Sequence, residues 1–216
     1  MIIRPKLTSI LTSGGYMPKL VVLLTFLIFG DNLLADKQEL GIGKGKFAPN
    51  FSAKTVDGNQ IDLTSTLEKG PAVIVFYRGG WCPYCNIELK KIEQKIFPAV
   101  EKVKGTIIAI SVDRPQEGLK TASKNKLSFP IISDPDLTIH KQYNVLNKLD
   151  TAGVERLKGF GIDIVKASGR KHHTIAVPAT FVLSKSGKII YEFYDRNYKK
   201  RAPTEEVLKA LANPIL

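Results

Sequence analysis

The strongest constraint on the fold of this chain is the position of its two cysteines. Cys82 and Cys85 are the only cysteines in 216 residues, and they closely follow the apolar run from Ala72 to Tyr77. That run has the length of a buried strand, and Pro83 suits the first turn of a helix, where its missing N–H is not needed. A strand that leads into Cys-x-x-Cys at a helix start is the layout of a redox-active dithiol.

The position of the pair along the helix gives its two thiols different expected roles. A thiol at a helix N-terminus ionises with a pKa of roughly 3.5–7.5 rather than about 8.5, because unpaired N–H groups there stabilise the anion. Cys85 begins an apolar stripe that continues through Leu89, Ile92 and Ile96 at helical spacing. We therefore expect Cys85 to face the core and resolve, and Cys82 to be exposed at the open end of the helix and attack.

Other uses of a cysteine pair are less favoured by the sequence. A structural disulfide fits an exported protein, but this chain is long enough to bury a core without one. A structural zinc site normally needs four ligands, and only His140, His172 and His173 remain, all distant in sequence. Arg78, just before the pair, is a candidate for lowering the thiol pKa, with a solvated surface charge as the alternative.

The first 35 residues have the pattern of a targeting segment. Residues 20–29 are almost all apolar; this run is too short to span a bilayer, which needs about 20 residues, but it suits the apolar part of a secretory signal. We expect a signal peptide or an uncleaved anchor at 1–35, a linker at 36–43, a single domain at 44–214 and a periplasmic location. Met17 is an alternative start of translation, which N-terminal sequencing of the precursor would test.

The basic charge of the chain carries little functional information. The formal net charge is +12, but the lysines and arginines are spread along the sequence and lack the interleaved aromatic residues of nucleic-acid grooves. The longest cluster is Lys199-Lys200-Arg201, which we interpret as a solvated face. We expect no nucleic-acid partner, and peripheral contact with a membrane stays open.

Apolar strands alternate with helical patterns along most of the remaining chain. Strands are predicted at 72–77, 106–112 and 179–183, with helices between them. This alternation predicts an α/β layered domain. Residues 144–175 lose clear periodicity, and we expect them to form an inserted loop or a lid.

Several short motifs together give the chain a family resemblance. They are Phe47-Ala48-Pro49-Asn50-Phe51, Val75-Phe76-Tyr77, Trp81 to Cys85, Ser111-Val112-Asp113, Ser133-Asp134-Pro135 and Val177-Pro178-Ala179-Thr180-Phe181-Val182-Leu183. From about residue 44 to residue 211 the chain resembles the redoxin group of the thioredoxin-fold superfamily, and within it the peroxiredoxin-like proteins of the alkyl hydroperoxide reductase and thiol-specific antioxidant type. The resemblance implies a thioredoxin-like α/β fold with a central mixed β-sheet flanked by helices.

Within that superfamily the residues point in two directions. Peroxiredoxins carry Pro-x-x-x-Thr-x-x-Cys, a frame that places Arg78 at the Pro, Cys82 at the Thr and Cys85 at the Cys that attacks peroxide. Glu88 matches the acidic residue that often follows, whereas Pro178 stands where such enzymes place an Arg. The missing Thr and Arg weaken the match to a peroxide pocket.

Thioredoxin-like oxidoreductases match the same positions better. They carry Trp-Cys-x-x-Cys and, opposite it, a Pro whose preceding peptide bond is cis, a position that Pro178 matches. The resemblance then implies that the backbone of Val177 is free to pair with an extended substrate chain. It also implies that Trp81 packs beside the sulfurs.

The leading hypothesis is thiol–disulfide exchange through Cys82 and Cys85. The alternative is a thiol-dependent peroxidase with antioxidant activity, in which one Cys becomes a sulfenic acid and the other condenses with it. A third hypothesis is a copper-binding assembly factor that adds His172 or His173 to the pair. Neither enzymatic hypothesis implies a separate cofactor, but each needs a protein electron donor or acceptor to complete the cycle.

Overall fold

The computed structural model describes residues 39–213. Along that part of the chain the elements are β1 (Ser52–Lys54), β2 (Gln60–Asp62), α1 (Leu63–Lys69), β3 (Ala72–Phe76), α2 (Pro83–Lys95), α3 (Phe97–Lys102), β4 (Thr106–Ser111), α4 (Pro115–Asn125), β5 (Ile131–Ser133), α5 (Thr138–Gln142), β6 (Leu146–Lys148), α6 (Thr151–Gly159), α7 (Ile164–Ser168), β7 (Thr174–Ala176), β8 (Ala179–Leu183), β9 (Ile189–Tyr194) and α8 (Thr204–Ala212). The expected targeting segment at 1–35 lies outside the described residues.

A five-stranded sheet in the order β5-β4-β3-β8-β9 forms the centre of the domain. β3, β4 and β5 run parallel, whereas β8 is antiparallel to β3 and β9 is antiparallel to β8. Every residue of β3 is buried, because β3 is the middle strand and both faces of the sheet are covered. The predicted mixed sheet flanked by helices is therefore confirmed.

Alternate residues of β3 enter two different hydrophobic clusters. Val73 and Val75 pack in one cluster with Leu89 of α2, while Ile74 and Phe76 pack in another with Tyr143. This period of two is what a strand covered on both faces requires. The cluster that contains α2 also contains both cysteines.

The stretch 144–175 is not the loop or lid that its lack of periodicity suggested. It forms the antiparallel pair β6–β7, with α6 and α7 between the two strands. Asp150 and Asp163 begin the two helices by accepting hydrogen bonds from the backbone N–H groups of Gly153 and Lys166. Elements of three to nine residues are too short for their period to show in a sequence, which explains the error.

The chain before β1 is bound to the edge of the sheet. Glu192 of β9 accepts hydrogen bonds from the backbone N–H of Ile42 (3.3 Å) and of Gly43 (3.0 Å). The N–H of Gly45 donates to the carbonyl of Ile189 at 2.8 Å. These bonds fix the end of the expected linker onto β9. Within residues 39–213, no helix has the length and apolar character needed to cross a bilayer.

Candidate active site

β3 and α2 together place the cysteine pair at the carboxyl end of the central strand. Phe76 ends β3, and Cys82 is the N-cap of α2, with an extended backbone (φ −86°, ψ 116°). Pro83 occupies the first turn, as predicted. The carbonyl of Cys82 accepts hydrogen bonds from the backbone N–H groups of Cys85 and Asn86, both at 3.1 Å. The first turn of the helix is therefore built on Cys82.

Both sulfurs are buried. Each cysteine exposes 1% of its surface. Cys85 lies in the core beside Leu89 and Ile92, as predicted. The prediction of an exposed Cys82 is wrong, because side chains from two other parts of the chain cover the start of the helix.

The guanidinium of Arg78 forms the inner layer of that cover. Its Nη1 lies 3.8 Å from the Sγ of Cys82. Its Cζ lies 5.0 Å from the ring centroid of Trp81 and 4.2 Å from that of Tyr198, and Arg78 is 8% exposed. Stacking on two aromatic rings holds the cation in place. Arg78 is therefore not a solvated surface charge.

The two thiols differ strongly in their tendency to ionise. The largest cause of the difference in pKa is a hydrogen bond in which the S–H group of Cys85 donates to the sulfur of Cys82. Together with the backbone N–H of Cys85 and the charges of Arg78 and Arg201, this bond lowers the pKa of Cys82 to about 6, although burial opposes the shift. The same hydrogen bond, together with burial, raises the pKa of Cys85 well above its usual value. At neutral pH the pair therefore holds one negative charge, on Cys82.

A second arginine, Arg201, contacts Cys85 and was not among the predicted site residues. Its Nη2 lies 3.5 Å from the Sγ of Cys85, and its Nη1 donates to the backbone carbonyls of Tyr198 and Lys200. The sequence contained one signal, the basic run 199–201, which we interpreted as a solvated face. For Arg201 that interpretation is wrong.

A buried carboxyl group lines the same small cavity as Cys85. Glu88 stands three positions after Cys85 on α2 and is 8% exposed, and burial raises its pKa. The cavity, of about 10 Å³, is also lined by Pro178 and Arg201. That volume holds at most about one water molecule. Glu88 and Cys85 thus line one small cavity, and Glu88 supplies the only carboxyl group among its lining residues.

The expectations for the backbone at Val177 and Pro178 are wrong. Every peptide bond of the described chain is trans, the bond between these two residues included. The N–H of Val177 donates to the carbonyl of Val145 at 2.7 Å, which extends the β6–β7 ladder by one bond. That donor is already paired, so it is not free for a substrate chain. Pro178 does lie beside Cys85, in the wall of the small cavity.

The histidines of the copper hypothesis do not join the cysteines. The Nε2 of His172 donates to the carbonyl of Pro135 at 3.0 Å, and its Nδ1 accepts from the N–H of Thr174 at 2.9 Å. Over residues 39–213 no group of three or more His, Cys, Asp or Glu side chains is arranged to hold a metal ion. The described structure therefore gives the copper hypothesis no support.

Asp113 supports the segment before the cysteines and was not a predicted site residue. Its Oδ2 accepts a hydrogen bond from the backbone N–H of Gly80 at 2.7 Å. Asp113 is 1% exposed, and burial raises its pKa to about 7. A carboxyl group at the end of a strand has no sequence signature of its own, and so Asp113 entered the sequence interpretation only as part of the motif Ser111-Val112-Asp113.

Comparison with known proteins places this chain in a family. The AhpC/TSA family model matches residues 44–192, well over half of the chain. ResA of Bacillus thuringiensis, named a thiol-disulfide oxidoreductase, is 27% identical over 168 residues, which cover 77% of this chain and 78% of that protein. Peroxiredoxin Bcp of Escherichia coli K12 is 30% identical over 102 residues, which cover 47% of this chain and 64% of that protein.

A solved structure supports the same placement at the level of the fold. The crystal structure of peroxidoxin BcpB from Mycobacterium tuberculosis superposes with a TM-score of 0.61 at 18% identity, over 81% of this chain and 97% of that one. The resemblance drawn from the short motifs is therefore confirmed. The chain belongs to the AhpC/TSA family, as a peroxiredoxin-like, thiol-based oxidoreductase of the thioredoxin fold.

Proposed function

We propose that this protein is a thiol–disulfide oxidoreductase in which Cys82 attacks and Cys85 resolves. The observation that carries the proposal is the unequal ionisation of two adjacent buried thiols. The pKa of Cys82 is lowered to about 6, and that of Cys85 is raised well above its usual value. The thiolate is the attacking species in disulfide exchange, so Cys82 is ready to attack at neutral pH while Cys85 still holds its proton.

The exchange takes two steps. The Cys82 thiolate attacks one sulfur of a substrate disulfide, the substrate S–S bond breaks, and the other substrate sulfur leaves as a thiolate. Cys85 then gives up its proton and attacks the sulfur of Cys82, which releases the second substrate thiolate. Two protein thiols become one disulfide, and two substrate sulfurs are reduced and protonated. We assign the Cys85 proton to Glu88, which lines the same small cavity.

A peroxidase is the second candidate function, and the two guanidinium groups favour it. Arg78 and Arg201 place N–H donors beside the two sulfurs, where they can bind a peroxide oxygen. The Cys82 thiolate would attack one oxygen, the O–O bond would break, and the other oxygen would leave as water or an alcohol after protonation. Cys85 would then condense with the sulfenic acid and release water. The raised pKa of Cys85 argues against the peroxiredoxin frame, in which Cys85 attacks.

The deciding experiment compares two oxidants on the fully reduced chain. Hydrogen peroxide and the neutral hydroxyethyl disulfide are mixed with it separately, and the loss of thiols and the fluorescence of Trp81 are followed. We expect the disulfide to react and peroxide to be slow. Oxidation by peroxide orders of magnitude faster than that of a free thiol would instead establish the peroxidase.

Two single-cysteine variants test the assigned roles. Cys85→Ala should accumulate a mixed disulfide on Cys82, because nothing resolves it, and mass spectrometry will show the added mass. Cys82→Ala is the matched control and should accumulate little adduct, because burial shields the remaining thiol and still raises its pKa when the hydrogen bond with Cys82 is gone. Adduct on Cys85 at a similar rate would overturn the assignment.

The cycle also needs a second protein. A dithiol or disulfide partner must return the pair to its starting state, since Cys82 and Cys85 are the only cysteines of the sequence. We place this exchange in the periplasm, on the strength of the apolar run at 20–29. Its direction depends on the reduction potential of the pair.

A further inference from the structure

One short stretch of chain, between β9 and α8, supplies the outer side chains of the cover over the two sulfurs. This stretch, residues 195–201, is called the cover segment below. Its Tyr198 stacks on Arg78, which contacts Cys82, and its Arg201 contacts Cys85 directly. Since each cysteine is 1% exposed, a substrate disulfide reaches Cys82 only by meeting the cover segment and displacing part of it.

The cover segment is strongly basic. It carries Arg196, Lys199, Lys200 and Arg201 against a single carboxylate, Asp195. Lys200 pairs with that carboxylate at 3.3 Å. Within residues 39–213, neither Arg196 nor Lys199 forms an ion pair, and both are exposed. The segment therefore presents positive charge that nothing in the described chain neutralises.

Exposed apolar side chains border the same charge. The ring of Tyr84 lies edge-on to that of Tyr198, with centroids 5.6 Å apart, and Lys199 Nζ lies 5.8 Å from the centroid of Tyr84. Tyr84 is 40% exposed, Tyr198 37%, and Ile87, on the next turn of α2, 65%. Aromatic rings and an aliphatic side chain beside cations make a surface suited to a peptide chain rather than to a small ion.

We propose that the cover segment recognises an acidic stretch of a partner protein, next to the disulfide that Cys82 attacks. This inference rests on the proposed function, since it names the substrate class of the same site. Carboxylates of the partner would pair with Arg196 and Lys199, while its apolar atoms would lie on Tyr84 and Ile87. Long-range attraction between opposite charges also speeds the encounter that must precede the opening of the cover.

The test uses cyclic peptides that differ only beside their disulfide. Each is closed by one disulfide and flanked by glutamate, glutamine or lysine, and each is mixed with the reduced full chain. We expect the glutamate peptide to react about tenfold or more faster than the lysine peptide at about 20 mM salt, with most of the difference lost at about 500 mM salt. Equal rates for all three peptides would overturn the inference.

The second part of the test reverses charges on the protein. The variant R196E/K199E should invert the preference between the glutamate and lysine peptides. The matched control is K69E/K185E, which changes the net charge equally. Lys69 and Lys185 stand at the far end of the sheet, where Ala72 pairs with Leu183, while the cysteines follow the end where Phe76 pairs with Ala179. The control should keep the original preference for the glutamate peptide. If the control inverts that preference, the effect comes from the net charge of the protein, and the proposal is contradicted.

Neutral hydroxyethyl disulfide separates the failure of this inference from failure of the function. The control K69E/K185E should react with it at the rate of the unmodified chain, and R196E/K199E should still react with it, which shows that both variants are folded. If the unmodified chain does not react with any disulfide, the proposed function is wrong. If it reacts with all peptides alike and R196E/K199E loses binding to phosphatidylglycerol vesicles, the cover segment serves a membrane surface, and the acidic partner is ruled out.

Discussion

The guanidinium of Arg201 lies 3.5 Å from the sulfur of Cys85, although 116 positions of sequence separate the two residues. Arg78 stands in a similar relation to Cys82, at 3.8 Å. Each sulfur of the pair therefore has its own cation, one from the loop after β3 and one from the segment after β9. Cations beside a dithiol stabilise the thiolate of the reduced form, and a stabilised reduced form makes a disulfide more oxidising.

The ionisation of Cys82 is the first prediction. The rate of alkylation of the reduced chain by iodoacetamide should rise with pH around a midpoint near 6, the pKa of Cys82. Cys85→Ala should move that midpoint up by about one pH unit or more, because it removes the hydrogen bond that contributes most to the shift. Arg78→Met should raise it by less, and the exposed Arg156→Met should leave it unchanged. A midpoint near 9 in the unmodified chain would contradict the assignment of Cys82 as the attacking thiol.

The same shift predicts how the stability of the reduced form depends on pH. The pKa of Cys82 is lower in the folded chain than in the unfolded chain, where it is near 9. At Cys82 the folded state therefore binds fewer protons between about pH 6 and pH 9, and the contribution of this thiol to the free energy of unfolding rises with pH across that window. Urea titrations of the reduced chain and of Cys82→Ala should show this rise in the first protein only.

The second cation is tested by Arg201→Met. Arg201 lowers the pKa of both thiols. Its loss should therefore raise the pKa of Cys85 by up to about one unit and leave more of this thiol protonated. We expect the resolving step to become several-fold slower as a result. Rapid mixing with hydroxyethyl disulfide and acid quenching at successive times measures how long the mixed disulfide on Cys82 persists. Arg201→Lys should recover part of the rate, whereas a merely structural role would not distinguish the two variants.

Much of the scaffold of this site was predictable from local sequence. The buried strand β3, the helix start at Pro83 and the core position of Cys85 follow from an apolar run, a proline and a stripe of helical period. Each of these signals lies within a few residues of the feature that it predicts. That is why the amino-acid sequence alone is enough to predict the central sheet and the place of the cysteine pair.

The surroundings of the sulfurs were not predictable in the same way. Arg201 reaches Cys85 only because the segment between β9 and α8 returns to the start of α2, and the Tyr198 ring of the same distant segment stacks on Arg78, which contacts Cys82. Asp113 meets Gly80 because β4 pairs beside β3. Such contacts arise from the tertiary packing of helices and strands, and no residue spacing in a single sequence predicts them.

The close packing of Gly80 gives a prediction of stability. A Cβ added at Gly80 would lie 1.9 Å from Thr121 Oγ1, and so Gly80→Ala must push α4 or the loop before the cysteines aside. We expect a loss of about 1–3 kcal/mol in the free energy of unfolding. Thr121→Ala in the same chain removes that oxygen and should restore part of the loss. If the effects of Gly80→Ala and Thr121→Ala on the free energy of unfolding, measured by chemical denaturation, are simply additive, this contact is contradicted.

Asp113 gives the last prediction, because the pKa of its carboxyl group is raised rather than lowered in the folded chain. Burial raises its pKa from 3.8 to about 7, so between about pH 4 and pH 7 the folded chain holds a proton that the unfolded chain has lost. Stability should therefore fall as pH rises through that window. Asp113→Asn cannot ionise and still offers an oxygen to the N–H of Gly80. Relative to the unmodified chain, the free energy of unfolding of this variant should increase by on the order of 2–3 kcal/mol between pH 5 and pH 8.

Asp57→Asn is the control. The pKa of Asp57 is lowered from 3.8, so this carboxyl group stays ionised in both states over this range, and the effect of its substitution should not change with pH. Parallel stability curves for Asp113→Asn and the unmodified chain would show that Asp113 is ionised throughout.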